Sequence, residues 1–329
     1  MLRHIAVLVL GALTVQMAAG QTRPAGSMRV LTYNIRQGNG QQQIQLGGWT
    51  IPLPFGRKLK VPGTVLPVAR PGQIATIADD LKAYDADVIF LQEVNTHSLM
   101  SLGRDQAEQI ADRMGMHHAY AVAQRDAVVV KQQGNAILSK HPISDARSVE
   151  LNPAGDGEER RVAVVAKIDQ PGVPGGVYAV CVHIAVHSET MKERDMAALL
   201  ALITSLPGPV ILSGDFNQSP TAAPITQLLA NLTAAGHELH DAFKDVGTGD
   251  GGTSSAPKGE HRIDYVLTSA DLPPVGAYVL RNLNDSDHFA VMADLQMHPP
   301  VPELPERRAS AAAPTGTSTS LLGVGALAN

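Results

Sequence analysis

Residues 207–220 read PGPVILSGDFNQSP. Residues 210–212 are a short apolar run of the kind that fills a buried strand, and where the run ends Asp215 and Asn217 stand two positions apart. Two residues is the period of a strand, so the carboxylate and the carboxamide leave the same face at its end. Gly214 lets the backbone approach a ligand closely, and Pro220 ends the segment. A carboxylate beside an amide suits a hard cation and the phosphate oxygens it polarises. Taken alone, the same residues also fit a strand end followed by an Asx turn.

The chain around this stretch alternates strands and helices. Just upstream, Thr190 and Glu193 have the spacing of a capping box, and Met196, Leu199, Leu200, Ile203 and Leu206 form the apolar stripe of a helix that leads into it. Earlier still, residues 28–34 (MRVLTYN), 87–92 (DVIFLQ), 128–130, 136–139, 162–168 and 177–183 read as strands, the later ones as a largely antiparallel section. Ile74, Ile77, Ala78 and Leu81 mark one helix; Ala107, Ile110, Ala111 and Met114, with Gly115 as a C-terminal cap, mark another. Downstream come a short helix at 225–231, a Gly/Ser-rich loop at 247–259, and strands at 263–267 and 289–295. Residues 37–70 are rich in Gly, Pro and Gln, and within them 49–53 and 59–61 can pair as a β-hairpin. A loop of that length inside a compact domain is either functional or disordered.

The composition sets bounds on function. Residues 1–20 carry Arg3, an apolar run at 5–13 and the small residues Ala18, Ala19 and Gly20, the pattern of a secretory signal peptide. The run is too short to span a bilayer, so a secreted or periplasmic protein without a membrane span is expected. The expected organisation is a linker at 21–27, a folded domain at 28–297 that includes the 37–70 insertion, and a disordered Pro/Ala/Ser/Thr-rich tail at 298–329. Cys181 is the single cysteine, which excludes an intrachain disulfide and reads as a small buried hydrophobe. A net charge of −5 in 329 residues is not suited to holding long nucleic acid by bulk electrostatics.

Polar residues recur where apolar strands end: Asn34, Glu93, His183, Asp215 with Asn217, Asp264, and Asp287 with His288. Strand ends gather at one edge of a sheet in a layered α/β domain, so these groups can converge on one site. An imidazole titrates near neutrality and can take a proton from water when a second group fixes its tautomer, which suits His288. Asp264, inside an apolar strand, needs a partner: either an imidazole or a structural salt bridge to Arg262. His183 and His187 have the four-residue spacing of a helical zinc pair, but they sit at a strand exit, where that spacing loses its metal meaning. His183 alone can donate to a phosphate oxygen, and His187 reads as a surface residue. Arg160 and Arg161 can reach a substrate phosphate or solvent.

In order, YN at 33–34, QE at 92–93, GNAILS at 134–139, His183, GDFN at 214–217, RIDY at 262–265 and SDH at 286–288 resemble the endonuclease/exonuclease/phosphatase family over roughly residues 28–297. The resemblance implies a four-layer α/β sandwich, two mostly antiparallel β-sheets packed face to face with helices outside. It also implies a Mg²⁺-dependent hydrolase of phosphate esters, with Mn²⁺ or Ca²⁺ as substitutes; separately, a monomer is expected. By this resemblance Glu93 is the main metal carboxylate with Asn34 beside it, and Asp287 is a further metal-side acid. Asp215, also at the metal, and Asn217 orient the attacking water and a phosphate oxygen. His288 is the general base, Asp264 its orienting partner and His183 a donor to the phosphoryl oxygens.

Substrates that fit are small phosphate esters, nucleic acid as in the deoxyribonucleases of the family, or a lipid head group as in its sphingomyelinases. Two departures stand out. Gln132 and Gln133 occupy a place where members often carry an aromatic residue. The insertion, with Trp49, Phe55, Arg57, Lys58 and Lys60, is expected to overhang the site and help select the substrate. A non-catalytic binding module would show a broken set of strand-end residues, and none is broken.

Overall fold

The structure is a computed structural model that describes residues 22–38, 72–98, 101–125, 132–155, 159–254, 261–283 and 285–297, with strand backbone at 43–46, 50–52, 58–60 and 64–67. The expected signal peptide, the tail, the strand at 128–130, Trp49, Phe55 and Arg57 lie outside the described residues. So do the side chains of Lys58 and Lys60.

In chain order, β1 (Ser27–Asn34) leads through a turn at Arg36–Gly38 to β2 (Gln43–Leu46), β3 (Thr50–Pro52), β4 (Lys58–Lys60) and β5 (Thr64–Pro67). Next come α1 (Gln73–Lys82), β6 (Val88–Asn95), α2 (Gln106–Met114), β7 (His117–Arg125), β8 (Gln132–Ser139) and β9 (Ile143–Asn152). The second half runs β10 (Arg161–Ile168), β11 (Val177–His183), α3 (Glu189–Thr204), β12 (Val210–Asp215), α4 (Ala223–Ala234), β13 (Leu239–Asp241), α5 (Ala242–Val246), β14 (Asp264–Ser269), β15 (Pro274–Leu280) and β16 (Ala290–Gln296).

Two six-stranded sheets form, ordered β15-β16-β1-β6-β8-β7 and β13-β14-β12-β11-β10-β9. Period-2 alternation divides each strand between two cores. Met28 and Val30 of β1 face inward to meet Val164, Cys181, Ile211 and Val266 of the other sheet. Leu31 and Tyr33 of the same strand face outward onto Ile77 and Leu81 of α1 and Ile110 of α2. On the far side Val180, Val182 and Leu212 pack under Leu199 and Ile203 of α3 and Leu228 of α4. The expected four-layer sandwich, two mostly antiparallel sheets with helices outside, is therefore the observed fold.

Each sheet contains one parallel pair, β1 with β6 and β11 with β12, joined by crossovers that carry α1 and α3. Parallel partners end at the same edge. The carboxyl ends of β1, β6, β11 and β12 thus bring Asn34, Glu93, His183 and Asp215 to corresponding edges. Antiparallel β14 begins there, with Asp264 opposite Asp215.

Several local readings change. Glu93 does not end its strand: β6 continues to Asn95, and the pairing with β8 shifts register between Leu91 and Val94, with Glu93 at φ 55°. A bulge of this kind re-aims a side chain. The α3 cap is Ser188, whose Oγ accepts from the Met191 N–H, rather than Thr190. Asp264 opens β14 instead of lying inside it. Strands β7, β9, β13 and β15 and helix α5 are additional to the sequence reading. The expected hairpin is present as β3 paired with β4, and β2 pairs separately with β5.

Candidate active site

The structure brings Asn34, Glu93, His183, Asp215, Asp264 and His288 into one connected cluster. Asn34 Nδ2 donates to Glu93 Oε1 at 3.2 Å and to Asp215 Oδ2 at 3.1 Å, which joins the two sheets across the site. Asp215 is 1% exposed, and its Oδ2 lies 3.5 Å from His183 Nε2 and 3.7 Å from His288 Nε2. His288 Nδ1 lies 2.9 Å from Asp264 Oδ2. Asp264 Oδ1 is buried with no hydrogen-bond partner. Of the two partners open to Asp264, the imidazole is the one it takes, because Arg262 donates with both terminal nitrogens to Asp241, each at 2.8 Å.

The backbone around these groups is held from several directions. The Asn217 N–H donates to Asp215 Oδ1 at 2.9 Å, and Asn217 Nδ2 donates to the Ile184 carbonyl at 2.9 Å. The Ala185 N–H donates to Asp195 Oδ2 of α3 at 2.9 Å. The loop after His183 is thereby tied both to the Asp215 strand end and to a helix. Thr253 Oγ1 accepts from the N–H groups of Ile263 and Asp264, and the Phe289 N–H donates to the Thr253 carbonyl, so one residue braces both sides of the His288–Asp264 pair.

Asp287 sits at the rim, with 42% of its side chain exposed and Oδ2 3.3 Å from Arg36 Nε. His187 is exposed. Arg160 donates to the carbonyls of Val122 and Ala123, and Arg161 is buried at 6% exposure. Sequence reasoning did not find Gln37, whose Nε2 lies 3.3 Å from Glu93 Oε2. Its placement depends on a turn with φ 62°, which no periodicity announces. Nor did it find Asp195 or Thr253, which act through backbone amides.

The electrostatics follow from burial. Burial raises Asp215 first, and the neighbouring Asp264 charge adds to it, which takes the carboxyl up to about 7 against opposition from His288 and the bonds from Asn217 and Asn34. Burial lowers His288, but the Asp264 and Asp215 carboxylates outweigh it and hold the imidazolium up to about 10. The site is thus short of positive charge, and Glu93 and Asp215 draw on the same amide donor. The carboxylate oxygens of Glu93 and Asp215 suit a hard divalent cation, and Asn34, whose Oδ1 accepts the Arg36 N–H, ties the two together through Nδ2. A second grouping, Asp215, Asp264 and His288, places its ligand atoms within 4.8 Å of one another. Within it, Asp264 Oδ2 and His288 Nδ1 are paired with each other, while Asp264 Oδ1 and His288 Nε2 are not part of that pair.

An open depression adjoins the cluster, with Glu93 and His183 among its lining residues. Among the described residues no helix is long and apolar enough to cross a membrane.

The sequence model of the Endonuclease/Exonuclease/phosphatase family matches residues 31–288. No curated protein matches the chain. Among solved structures, an endonuclease/exonuclease/phosphatase from Beutenbergia cavernae DSM 12333 superposes with a TM-score of 0.60 at 23% identity, covering 84% of this chain and 72% of that one. A mannosyl-6-phosphatase of Bacteroides thetaiotaomicron VPI-5482 gives 0.56 at 17% identity over 82% and 99%. The human Nocturnin catalytic domain with bound sulfate anion gives 0.57 at 16% over 83% and 96%. At these identities the likeness establishes the fold.

Proposed function

Since the chain belongs to the endonuclease/exonuclease/phosphatase family, whose members are phosphoric ester hydrolases, we propose that it is a secreted hydrolase of phosphate esters that depends on a divalent cation, Mg²⁺ before Mn²⁺ or Ca²⁺. The observation that carries this reading is the unbroken chain of contacts from Glu93 through Asn34 and Asp215 to His288 and Asp264. The phosphatase among the structural neighbours supports the same class of substrate. Secretion rests on the leader at residues 1–20.

Asp264 Oδ2 fixes His288 through Nδ1, which leaves Nε2 facing Asp215 and the interior of the site. A water beside Asp215 and Asn217 loses its proton to that Nε2 as its oxygen bonds to phosphorus and the bond to the leaving oxygen breaks in line. His183 donates to a phosphoryl oxygen. Glu93 and Asp215, with Asn34 beside them and Asp287 at the rim, would hold the cation, which would supply polarisation of the phosphoryl group and offset its developing charge. His288 must be neutral to act as base, and positive charge brought to Asp215 favours the neutral form by offsetting one of the carboxylates that hold its proton.

The test is hydrolysis of p-nitrophenyl phosphate and bis-p-nitrophenyl phosphate by the parent and His288→Ala, with Mg²⁺ and with EDTA. Turnover that needs Mg²⁺ and collapses in the variant is expected. A variant as active as the parent sinks the mechanism.

A further inference from the structure

The pocket beside the cluster has a wall chemistry that the hydrolytic mechanism does not use. Its far side is built by two bulged strands. The pairing of β7 with β8 shifts register between Val122 and Gln124, and that of β6 with β8 between Leu91 and Val94. Gly134 of β8 lies between them, opposite Val122 on one side and Val94 on the other. Bulges on both flanks bend the sheet away from its regular pleat and leave a depression that begins at Glu93 and His183.

Its lining includes the amide residues Gln124, Gln133 and Asn135 and one charge of each sign, Glu159 and Arg161. Gln124 and Gln133 stand opposite each other in the β7–β8 register. Gln124 Oε1 is buried with no hydrogen-bond partner, an acceptor desolvated in advance of a donor. Gln133 is 6% exposed and Asn135 2%. Asn135 is oriented by Nδ2 donating to the Val162 carbonyl at 3.0 Å, which leaves its oxygen as an acceptor.

An amide both donates and accepts, as does a hydroxyl, so a wall of amides matches a group rich in hydroxyls. The alternatives fit less well. No aromatic ring and no lysine is among the described residues lining the pocket, so it offers neither a stacking platform for a base nor a run of cations for successive phosphates. Glu159 offsets Arg161, which disfavours a second phosphate. Among the described lining residues Ala123 is the one side chain that is wholly apolar, too little for a lipid chain. The depression is open to solvent, so a polar group can lie against its amide wall.

We propose that this amide wall contacts the alcohol half of the substrate, an uncharged polyhydroxylated group carrying one phosphate, with Gln124 and Gln133 as the residues that select it. The inference rests on the hydrolase reading and narrows it.

The test compares mannose 6-phosphate and glucose 6-phosphate with thymidine 5′-monophosphate and p-nitrophenyl phosphate, all with Mg²⁺. For the parent, the better sugar phosphate is expected to exceed the nucleotide in kcat/KM by about tenfold or more. In Gln133→Ala the ratio of sugar to aryl ester kcat/KM falls about 3- to 10-fold, mainly through KM, the effect of one lost neutral hydrogen bond. Gln124→Leu lowers the same ratio and serves as an independent variant should the first fold poorly. A parent that prefers the nucleotide, or a ratio unmoved in both variants, overturns the inference while leaving a hydrolase in place. A parent that cleaves none of the four esters overturns both readings.

Discussion

His288 Nδ1 lies 2.9 Å from Oδ2 of Asp264, a carboxylate whose other oxygen is buried and has no hydrogen-bond partner. The pair is one-sided: Asp264 commits one oxygen to the imidazole and presses its full charge on it. Asp264→Asn keeps the shape and removes the charge. We expect kcat to fall by about 10²–10⁴, the range for misplacing or mis-tuning a general base. A base works when deprotonated, so activity rises with pH through its pKa. Loss of the carboxylate lowers that pKa, and the rising limb of the kcat/KM profile should move toward acid. A profile that falls in height without moving assigns Asp264 to structure alone.

Glu93 is expected to carry the cation. It takes hydrogen bonds from Asn34 at 3.2 Å and Gln37 at 3.3 Å, both neutral donors, so nothing in this contact set neutralises it. In a thermal unfolding series, saturating Mg²⁺ should raise the parent's midpoint by about 5 °C or more. Glu93→Gln, which keeps the side-chain volume, should remove most of that rise while leaving the metal-free midpoint near the parent's. A variant with the parent's full Mg²⁺ response would show that the cation binds elsewhere.

How much of this was legible in the sequence depends on what each feature rests upon. Asn34, His183 and Asp215 follow apolar strand runs, and that boundary is visible in the chain itself. Glu93 was found by the same rule, but the bulge that aims it was not, because register shifts depend on pairing with a distant strand. Strand β9 escaped notice because most of its residues face water and it carries little apolar alternation. The choice of Asp264 between His288 and Arg262 was settled by Asp241, 21 residues before Arg262, a contact that no local pattern contains. Ser188 displaced Thr190 as helix cap in a loop whose start is fixed by Asn217 and Asp195, two distant side chains.

The metal-free protein should depend on pH through Asp215 and His288. Burial, and then Asp264, lift Asp215 from 3.8 to about 7, while the two carboxylates overcome burial to lift His288 from 6.5 to about 10. Both groups bind protons more tightly folded than unfolded, so each favours the fold while protonated. The Asp215 contribution is complete below 3.8 and lost as pH rises through about 7. That of His288 is complete below 6.5 and lost as pH rises through about 10. In EDTA, the midpoint advantage of the parent over His288→Gln should therefore shrink steadily from pH 6.5 to 10. An advantage that stays constant across that window would refute the assignment.

Gly214 is where the sheet itself depends on one residue. It pairs with Val182 between the strands that carry His183 and Asp215, at φ +145°, and a Cβ there would lie 2.0 Å from the Val182 carbonyl oxygen. That contact is backbone against backbone, so no side-chain rotation relieves it, and the parallel strands would have to part. Gly115, the α2 cap at φ +70°, has nothing within 4 Å of its Cβ position. There an alanine costs only the left-handed backbone, about 1 kcal/mol. For Gly214→Ala we expect more than about 3 kcal/mol in urea unfolding, in the range reserved for severe core strain. Because the displaced strands hold His183 3.5 Å from Asp215, whatever protein remains folded should also lose turnover. Equal costs at the two glycines would mean that β11 and β12 yield easily, and that the site tolerates their movement.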